Sequence, residues 1–203
     1  MPTEPSVWWN ALVIWGAATV YAVVHSVLAA EWVKETLGGV LGKWYRLFFN
    51  AVAAITLLPV LALPALLPNR VLYAVPPPWH WLLLFVELSA LLLAALPFIQ
   101  TDIWHFLGLR QLMEVVPPAH TPFKEVGLYR QMRHPGYFFS IVFLWASPLM
   151  TLNQALLYAA FTLYLWVGAI FEERKLAREF GEVYRDYQRR VPMFIPWKIT
   201  LWK

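Results

Sequence analysis

Two short segments of the sequence carry residue types that can bind a small charged molecule. Residues 133–137 read Arg-His-Pro-Gly-Tyr, and Glu172-Glu173 follow about 35 residues later. Pro135 suits the first turn of a helix, because its missing N–H would have no partner there. Arg133 and His134 would then lie at the positive end of that helix and could hold an anionic group such as a carboxylate. Contact with lipid headgroups is the simpler alternative.

The segment after the glutamate pair is polar and has helical periodicity. Phe180, Tyr184 and Tyr187 fall on one stripe of a helix predicted over residues 176–190. A helix lying on a membrane surface, with Glu172 and Glu173 paired to Arg or Lys one turn later, would explain the same pattern.

The elements that must position these residues are predicted to be membrane helices. The chain has 203 residues, of which 60% are hydrophobic and only 14% are charged, a balance too apolar for an ordinary soluble domain. We predict an all-α polytopic bundle, one integral membrane domain over 1–203, in which the first span is retained and not a cleaved signal peptide. Its spans are 7–30, 45–67, 79–99, 137–150 and 154–171, followed by a cytoplasmic tail over 172–203 that carries an amphipathic helix.

The basic residues predict the orientation of the bundle. Of the 16 Lys and Arg residues, 15 fall on one side of the predicted spans and only Arg70 falls on the other. Cytoplasmic loops are enriched in Lys and Arg, so we expect an inner-membrane protein with its N-terminus outside and its C-terminus in the cytoplasm. The net charge of +4 therefore indicates anionic membrane lipids as partners, and nucleic-acid binding is not expected.

The fourth span is short and is separated from the fifth only by an uncharged turn at residues 151–153, which predicts a tight C-terminal helical hairpin that need not cross the membrane fully. The start of the first of these helices and the end of the second would meet at the same membrane face. A pocket with Arg133 and His134 on one wall and two carboxylates on the other would suit a zwitterionic cofactor such as S-adenosylmethionine.

The order of these motifs resembles a known family. Residues 133–137, Glu172-Glu173, Phe180-Gly181, the two tyrosines and a closing Val191-Pro192 resemble the membrane methyltransferases related to isoprenylcysteine carboxyl methyltransferase and phospholipid methyltransferases. Segments 25–26, 45–50, 108–111 and 191–193 resemble the branch of methanethiol S-methyltransferase and NnrU-like proteins. One departure is Phe139, where the family usually has glycine; here Gly136 precedes the motif tyrosine instead.

The resemblance implies a methyltransferase that binds S-adenosylmethionine in a pocket open to the cytoplasm and takes a small thiol or lipophilic acceptor from the bilayer or its surface. Thiol S-methylation and prenylcysteine carboxyl methylation are the two reactions it suggests, and a phospholipid amine is a further alternative acceptor. The implied cofactor-binding residues are Arg133, His134, Pro135, Tyr137, Glu172, Glu173, Tyr184 and Tyr187. Arg133 is the candidate for holding the acceptor, and Glu173 is the candidate base. The sulfonium supplies the methyl group, so no metal is required.

Other polar residues in or near the spans leave alternatives open. His25, Asn50, Asp102, His105 and Gln111 are expected near the cytoplasmic face, where they would border the acceptor site or form hydrogen bonds between helices. Glu87 lies within a span, as a functional carboxyl or as a packing residue. The rivals to a methyltransferase are an NnrU-like accessory or transport protein with the same fold, and a haem protein with histidine ligands.

Overall fold

The computed structural model describes residues 7–101, 103–113, 123 and 125–196. It confirms an all-α polytopic architecture, in which a few short strand residues are the exception. The helices are α1 (Val7–Ala29), α2 (Glu31–Leu41), α3 (Tyr45–Leu66), α4 (Trp79–Thr101), α5 (Ile103–Leu107), α6 (Arg110–Met113), α7 (Pro135–Trp145), α8 (Leu152–Phe180) and α9 (Glu182–Arg190). Two strands, β1 (Val71–Ala74) and β2 (Leu149–Thr151), pair in antiparallel fashion.

Four helical segments among the described residues are long and apolar enough to cross a membrane. They are Val7–Ala29, Glu31–Leu66, Trp79–Pro97 and Leu152–Phe180. The fourth predicted span, 137–150, corresponds to the 11-residue helix α7 and the first residues of β2, and α7 is too short to cross a core of about 30 Å. The protein is therefore a multi-pass membrane protein in which α7 is a short apolar helix beside longer ones.

The chain divides into two compact units. The first takes its described residues from Met1–Ala74, Asp102–Pro117 and Leu149–Phe161, and the second from Val75–Thr101, Pro118–Pro148 and Thr162–Lys203.

The core of the first unit combines apolar packing with one buried amide network. Asn10 and Asn153 are both buried, and Asn10 Nδ2 donates to Asn153 Oδ1 at 2.8 Å. The Asn153 amide in turn donates to carbonyls at the end of α3, including Pro64 at 3.4 Å and Leu67 at 3.3 Å. The last carbonyls of a helix lack partners within it, so these amides satisfy groups that the membrane interior would leave unpaired.

The start of α8 differs from the expected loop. Residues 151–153 were predicted to be a simple turn, but Thr151 ends β2 and α8 begins directly after it. The Gln154 side chain accepts from Thr151 N at 3.0 Å, while Gln154 N donates to Thr151 Oγ1 at 3.3 Å. This reciprocal capping box fixes the helix start and explains why no flexible turn is needed.

In the second unit, α7 packs along α4 through small residues. Ala90 and Ala94 of α4 are buried, and Gly136 of α7 lies against the Ala94 carbonyl. Small side chains let two membrane helices approach closely. An ideal Cβ at Gly136 would lie 3.7 Å from that carbonyl oxygen, an ordinary contact, so Gly136 is convenient but not obligatory.

The end of α8 corrects one predicted boundary. Past residue 171, where the fifth span is predicted to end, α8 continues as one helix of 29 residues to Phe180. The polar helix predicted over 176–190 is broken at Gly181, whose φ of +59° favours glycine, and α9 begins at Glu182. Glu172 and Glu173 therefore lie within a continuous helix and not at its end.

Candidate functional site

The segment before α7 is anchored to the chain that follows α9. Arg133 N donates to the Pro192 carbonyl at 2.9 Å, and His134 N donates to the Met193 carbonyl at 3.1 Å. Pro135 then begins α7 and is itself buried. These backbone bonds fix the positions from which the side chains of Arg133 and His134 extend.

The side chains of Arg133 and His134 both point to Glu173 of α8. The Glu173 side chain is only 11% exposed. Arg133 Nε and Nη2 donate to its two carboxylate oxygens at 2.6 and 3.0 Å. Gln188 Nε2 donates at 2.6 Å, Tyr184 OH at 3.3 Å, and His134 Nε2 lies 3.0 Å from Oε1. Five contacts from donor groups suit an ionised carboxylate, which can only accept. Glu173 thus links the start of α7 to α9.

The guanidinium of Arg133 is almost fully engaged by the protein. Besides its two bonds to Glu173, its Nη1 donates to the carbonyls of Gln188 at 2.9 Å and Val191 at 2.7 Å. Four of its five N–H groups are therefore directed at these partners. The predicted role of holding a methyl acceptor would have to use the one that remains.

His134 lies between the two glutamates. Its Nε2 is 3.0 Å from Glu173, its Nδ1 is 3.6 Å from Glu172, and its ring stacks on Tyr137 with centroids 5.5 Å apart. Burial lowers the pKa of His134, but hydrogen bonds and negative charge from the two glutamates outweigh that effect together, so its pKa lies above the ordinary 6.5. The imidazolium form is favoured there.

The two glutamates differ sharply in environment. Glu172 keeps 44% of its side chain exposed, and its contacts are with His134 and with the Tyr137 side chain. Glu173 is enclosed by donors, whereas Glu172 has free acceptor capacity toward solvent. Of the pair, Glu172 is the carboxylate that an incoming ligand can reach.

Tyr184 and Tyr187 belong to an aromatic cluster. Both are buried, and their rings pack with Phe123 at centroid distances of 5.5 and 5.0 Å. Tyr187 OH donates to the Tyr129 carbonyl at 2.6 Å, and burial raises the pKa of both hydroxyls. Phe180 of α8 packs against the same cluster, so the three predicted aromatics come together although the break at Gly181 places them on two helices, and the described contacts of the cluster are within the protein.

The described residues among those predicted to border the acceptor lie in the first unit. Asn50 Nδ2 donates to the Phe106 carbonyl at 2.9 Å, and Gln111 Nε2 donates to the His105 carbonyl at 3.0 Å. The His25 ring is 4.9 Å from that of Phe49. Asp102 lies outside the described residues. Their roles stay predictions.

Sequence reasoning missed two residues. Gln188, which donates to Glu173, stands four residues after Tyr184 and so on the same helix face, a spacing that could have revealed it. Arg46, which counts toward the charge asymmetry and falls in the resembling segment 45–50 but was given no role at the site, shares the Phe106 carbonyl with Asn50. Phe139 is half-buried and packs on Phe138 with centroids 5.1 Å apart.

Comparison with known sequences now adds to this geometry. The profile of the family described as "Protein of unknown function (DUF1295)" matches residues 30–191, which is most of the chain. The chain belongs to this family. No solved structure gives a significant match.

This DUF1295 protein is also similar to curated methyltransferases. Methanethiol S-methyltransferase 1 of Bradyrhizobium diazoefficiens is 46% identical over 85 residues, covering 42% of this chain and 29% of that protein. Methanethiol S-methyltransferase of Mycobacterium tuberculosis is 40% identical over 100 residues, covering 46% and 40%. The chain therefore matches less than half the length of these relatives. Nurim of Rattus norvegicus is 26% identical over 184 residues, covering 83% and 68%. These similarities confirm the resemblance inferred from the motifs.

Proposed function

We propose that this DUF1295 protein is an integral membrane methyltransferase that uses S-adenosylmethionine and acts on a small thiol or lipophilic acceptor. The observation that carries the proposal is the cluster around Glu172 and Glu173, in which one carboxylate is fixed inside the protein and the other remains open. Similarity to methanethiol S-methyltransferases supports the reaction class.

The open part of the cluster suits S-adenosylmethionine. The exposed Glu172 carboxylate can accept from an ammonium group or from ribose hydroxyls, and its negative charge complements a sulfonium. His134 and Tyr137 hold Glu172 from the protein side. When bound, the cofactor supplies the activated methyl group, and the protein binds, aligns and excludes water.

The geometry divides the predicted site residues by role. We assign ligand contact to Glu172, with His134 and Tyr137 beside it. Arg133 and Glu173 were predicted to be the catalytic pair, but they use most of their hydrogen-bonding groups on each other and on α9. These contacts favour a role in positioning over acceptor binding or proton abstraction. Pro135, Tyr184 and Tyr187 would support the site through packing.

The membrane placement that follows is also a proposal. The protein would lie as a single domain in the inner membrane, with its N-terminus outside and its C-terminus in the cytoplasm. The cluster would then face the cytoplasm, where S-adenosylmethionine is available.

The reaction itself can be tested with a methyl-transfer screen. Protein purified in mild detergent is incubated with labelled S-adenosylmethionine and, separately, methanethiol, a prenylcysteine and a phospholipid amine. We expect label in a thioether with the thiol, or in an ester with the prenylcysteine. Label in none of the three products, from protein shown to bind the cofactor, would refute the assigned acceptor classes.

A non-enzymatic membrane protein with this fold is the second candidate. It is favoured by the Nurim match, which covers far more of the chain than the methyltransferase matches and whose name states no reaction. A protein of this kind would fold normally and fail to bind S-adenosylmethionine.

A further inference from the structure

Arg46, in the first unit, is held in one orientation by contacts that use only part of its guanidinium. Its Nε donates to the Phe106 carbonyl at 3.0 Å. Its guanidinium carbon lies 5.3 Å from the centroid of the Phe106 ring and 5.7 Å from that of Phe49. Among the described residues, none accepts a hydrogen bond from its two Nη groups. The side chain is half-buried, so the fork is presented in a restricted direction.

The backbone around Phe106 is fixed tightly enough to keep this orientation. Gly108 has a φ of +89°, and an ideal Cβ there would lie only 2.8 Å from Leu47 N. Asn50 Nδ2 donates to the same Phe106 carbonyl at 2.9 Å, and Lys43 Nζ lies 3.4 Å from the Leu112 carbonyl. The segment from α5 to α6 is thus docked on the start of α3, and Arg46 Nε is part of that docking, which leaves the two Nη groups of the fork outside it.

The charge of Arg46 has no partner among the described carboxylates. A half-buried cation without a counterion loses hydration, which one carbonyl and two aromatic rings offset only in part. A guanidinium with both Nη groups free matches the spacing of two oxygens on one oxyanion, and carboxylate and phosphate are the groups that arginine binds in this bidentate way. The arrangement therefore suits a carboxylate or a phosphate group.

The location favours a phosphate that comes from lipid. Arg46 stands in the first turn of α3, where α3 follows α2 within the candidate span Glu31–Leu66, and the exposed tryptophans Trp44 and Trp104 lie close to it in sequence and in the docked segment. Tryptophans are enriched at the level of lipid headgroups, and basic pockets there bind anionic lipids. We propose that Arg46 binds the phosphodiester of one anionic phospholipid, a site that does not depend on the methyltransferase assignment.

Native mass spectrometry of the detergent-purified protein, titrated with phosphatidylglycerol, tests this site. Arg46→Gln is expected to weaken lipid binding at least tenfold, and Arg46→Lys to weaken it less, because it keeps the charge but loses the fork. Lys34→Gln, which removes an exposed charge on α2, is the matched control and should stay within twofold of the parent. If Arg46→Gln does not give monodisperse protein, Arg46→Lys against Lys34→Gln carries the same comparison.

Three outcomes decide the proposal. A loss of lipid affinity that is confined to the Arg46 variants supports the proposal. Equal losses of lipid affinity in the Arg46 and Lys34 variants would overturn it, because the lipid would then bind by general attraction to basic surface. No loss of lipid affinity in any of these variants would also overturn it, because Arg46 would then make no contact with the lipid. Displacement of the lipid by millimolar inorganic phosphate would assign the site to a soluble phosphate and overturn the lipid as its occupant.

Discussion

Replacing Glu173 by glutamine should detach α9 from the start of α7. The carboxylate receives Arg133 Nε, His134 Nε2 and Tyr184 OH on one oxygen, and Arg133 Nη2 and Gln188 Nε2 on the other. An amide keeps one oxygen and puts two N–H donors in place of the other. At least two of the five contacts to the Glu173 side chain are lost, and the N–H groups of the new amide then face the donor groups of its neighbours.

The free-energy cost of this substitution follows from the burial of the ion pair between Arg133 and Glu173. The side chains of Arg133 and Glu173 are only 12% and 11% exposed, so the substitution leaves a largely buried guanidinium without its counterion. Breaking such a pair costs roughly 3–5 kcal/mol. Since about 1.4 kcal/mol is a factor of ten, local opening should become more frequent by roughly two to nearly four orders of magnitude.

Amide hydrogen exchange in detergent measures this opening directly. The informative amides are those of Arg133, which bonds to the Pro192 carbonyl, and of Val191, which bonds to the Tyr187 carbonyl. Both should exchange faster in Glu173→Gln by that factor, while amides in α4 keep the parent rate. Glu179→Gln, an exposed change on the same helix, is the control and should alter stability by no more than about 0.5 kcal/mol. Equal exchange in the two variants would refute the central position of Glu173.

Three further predictions follow from single contacts. Tyr187→Phe removes the 2.6 Å bond to the Tyr129 carbonyl and should cost roughly 1–2 kcal/mol in a detergent unfolding titration; an unchanged midpoint would contradict it. Gly108→Ala should cost of order 1–3 kcal/mol from backbone strain alone, with the clash at Leu47 N added, and a stability equal to the parent's would show that the docking is loose. The folded-state pKa of His134 is raised, so its stabilising effect is complete below about pH 6.5 and is lost as pH rises through that raised pKa. The unfolding free-energy difference between the parent and His134→Asn should therefore shrink at alkaline pH, and a difference that grows would reverse the assignment.

Much of the membrane architecture could be predicted because it depends on composition alone. Long apolar runs give α1, α3, α4 and α8, and proline at residue 135 marks the start of α7. Helix after residue 176 was predicted, but its break at Gly181 was not, because the helical periodicity of the aromatic residues runs across that glycine.

The sequence predicts which residues form the site, but it does not predict which role each of them has. Helical spacing places neighbouring residues such as Glu172 and Glu173 on different faces, yet it does not say which face is buried. That distinction depends on donors from Arg133 and Gln188, which are 40 and 15 residues away in sequence. The strand pairing of β1 with β2 is also long-range and left no local signal.

The most direct test of the proposed function is calorimetric titration of S-adenosylmethionine into the purified protein and into its Glu172→Gln and Glu179→Gln variants. The parent and Glu179→Gln should bind with the same affinity. Glu172→Gln should bind at least tenfold more weakly while remaining folded, because the open carboxylate is the proposed ligand contact. Equal binding by all three would contradict the assignment of Glu172, and no binding by the parent at millimolar cofactor would contradict the methyltransferase itself.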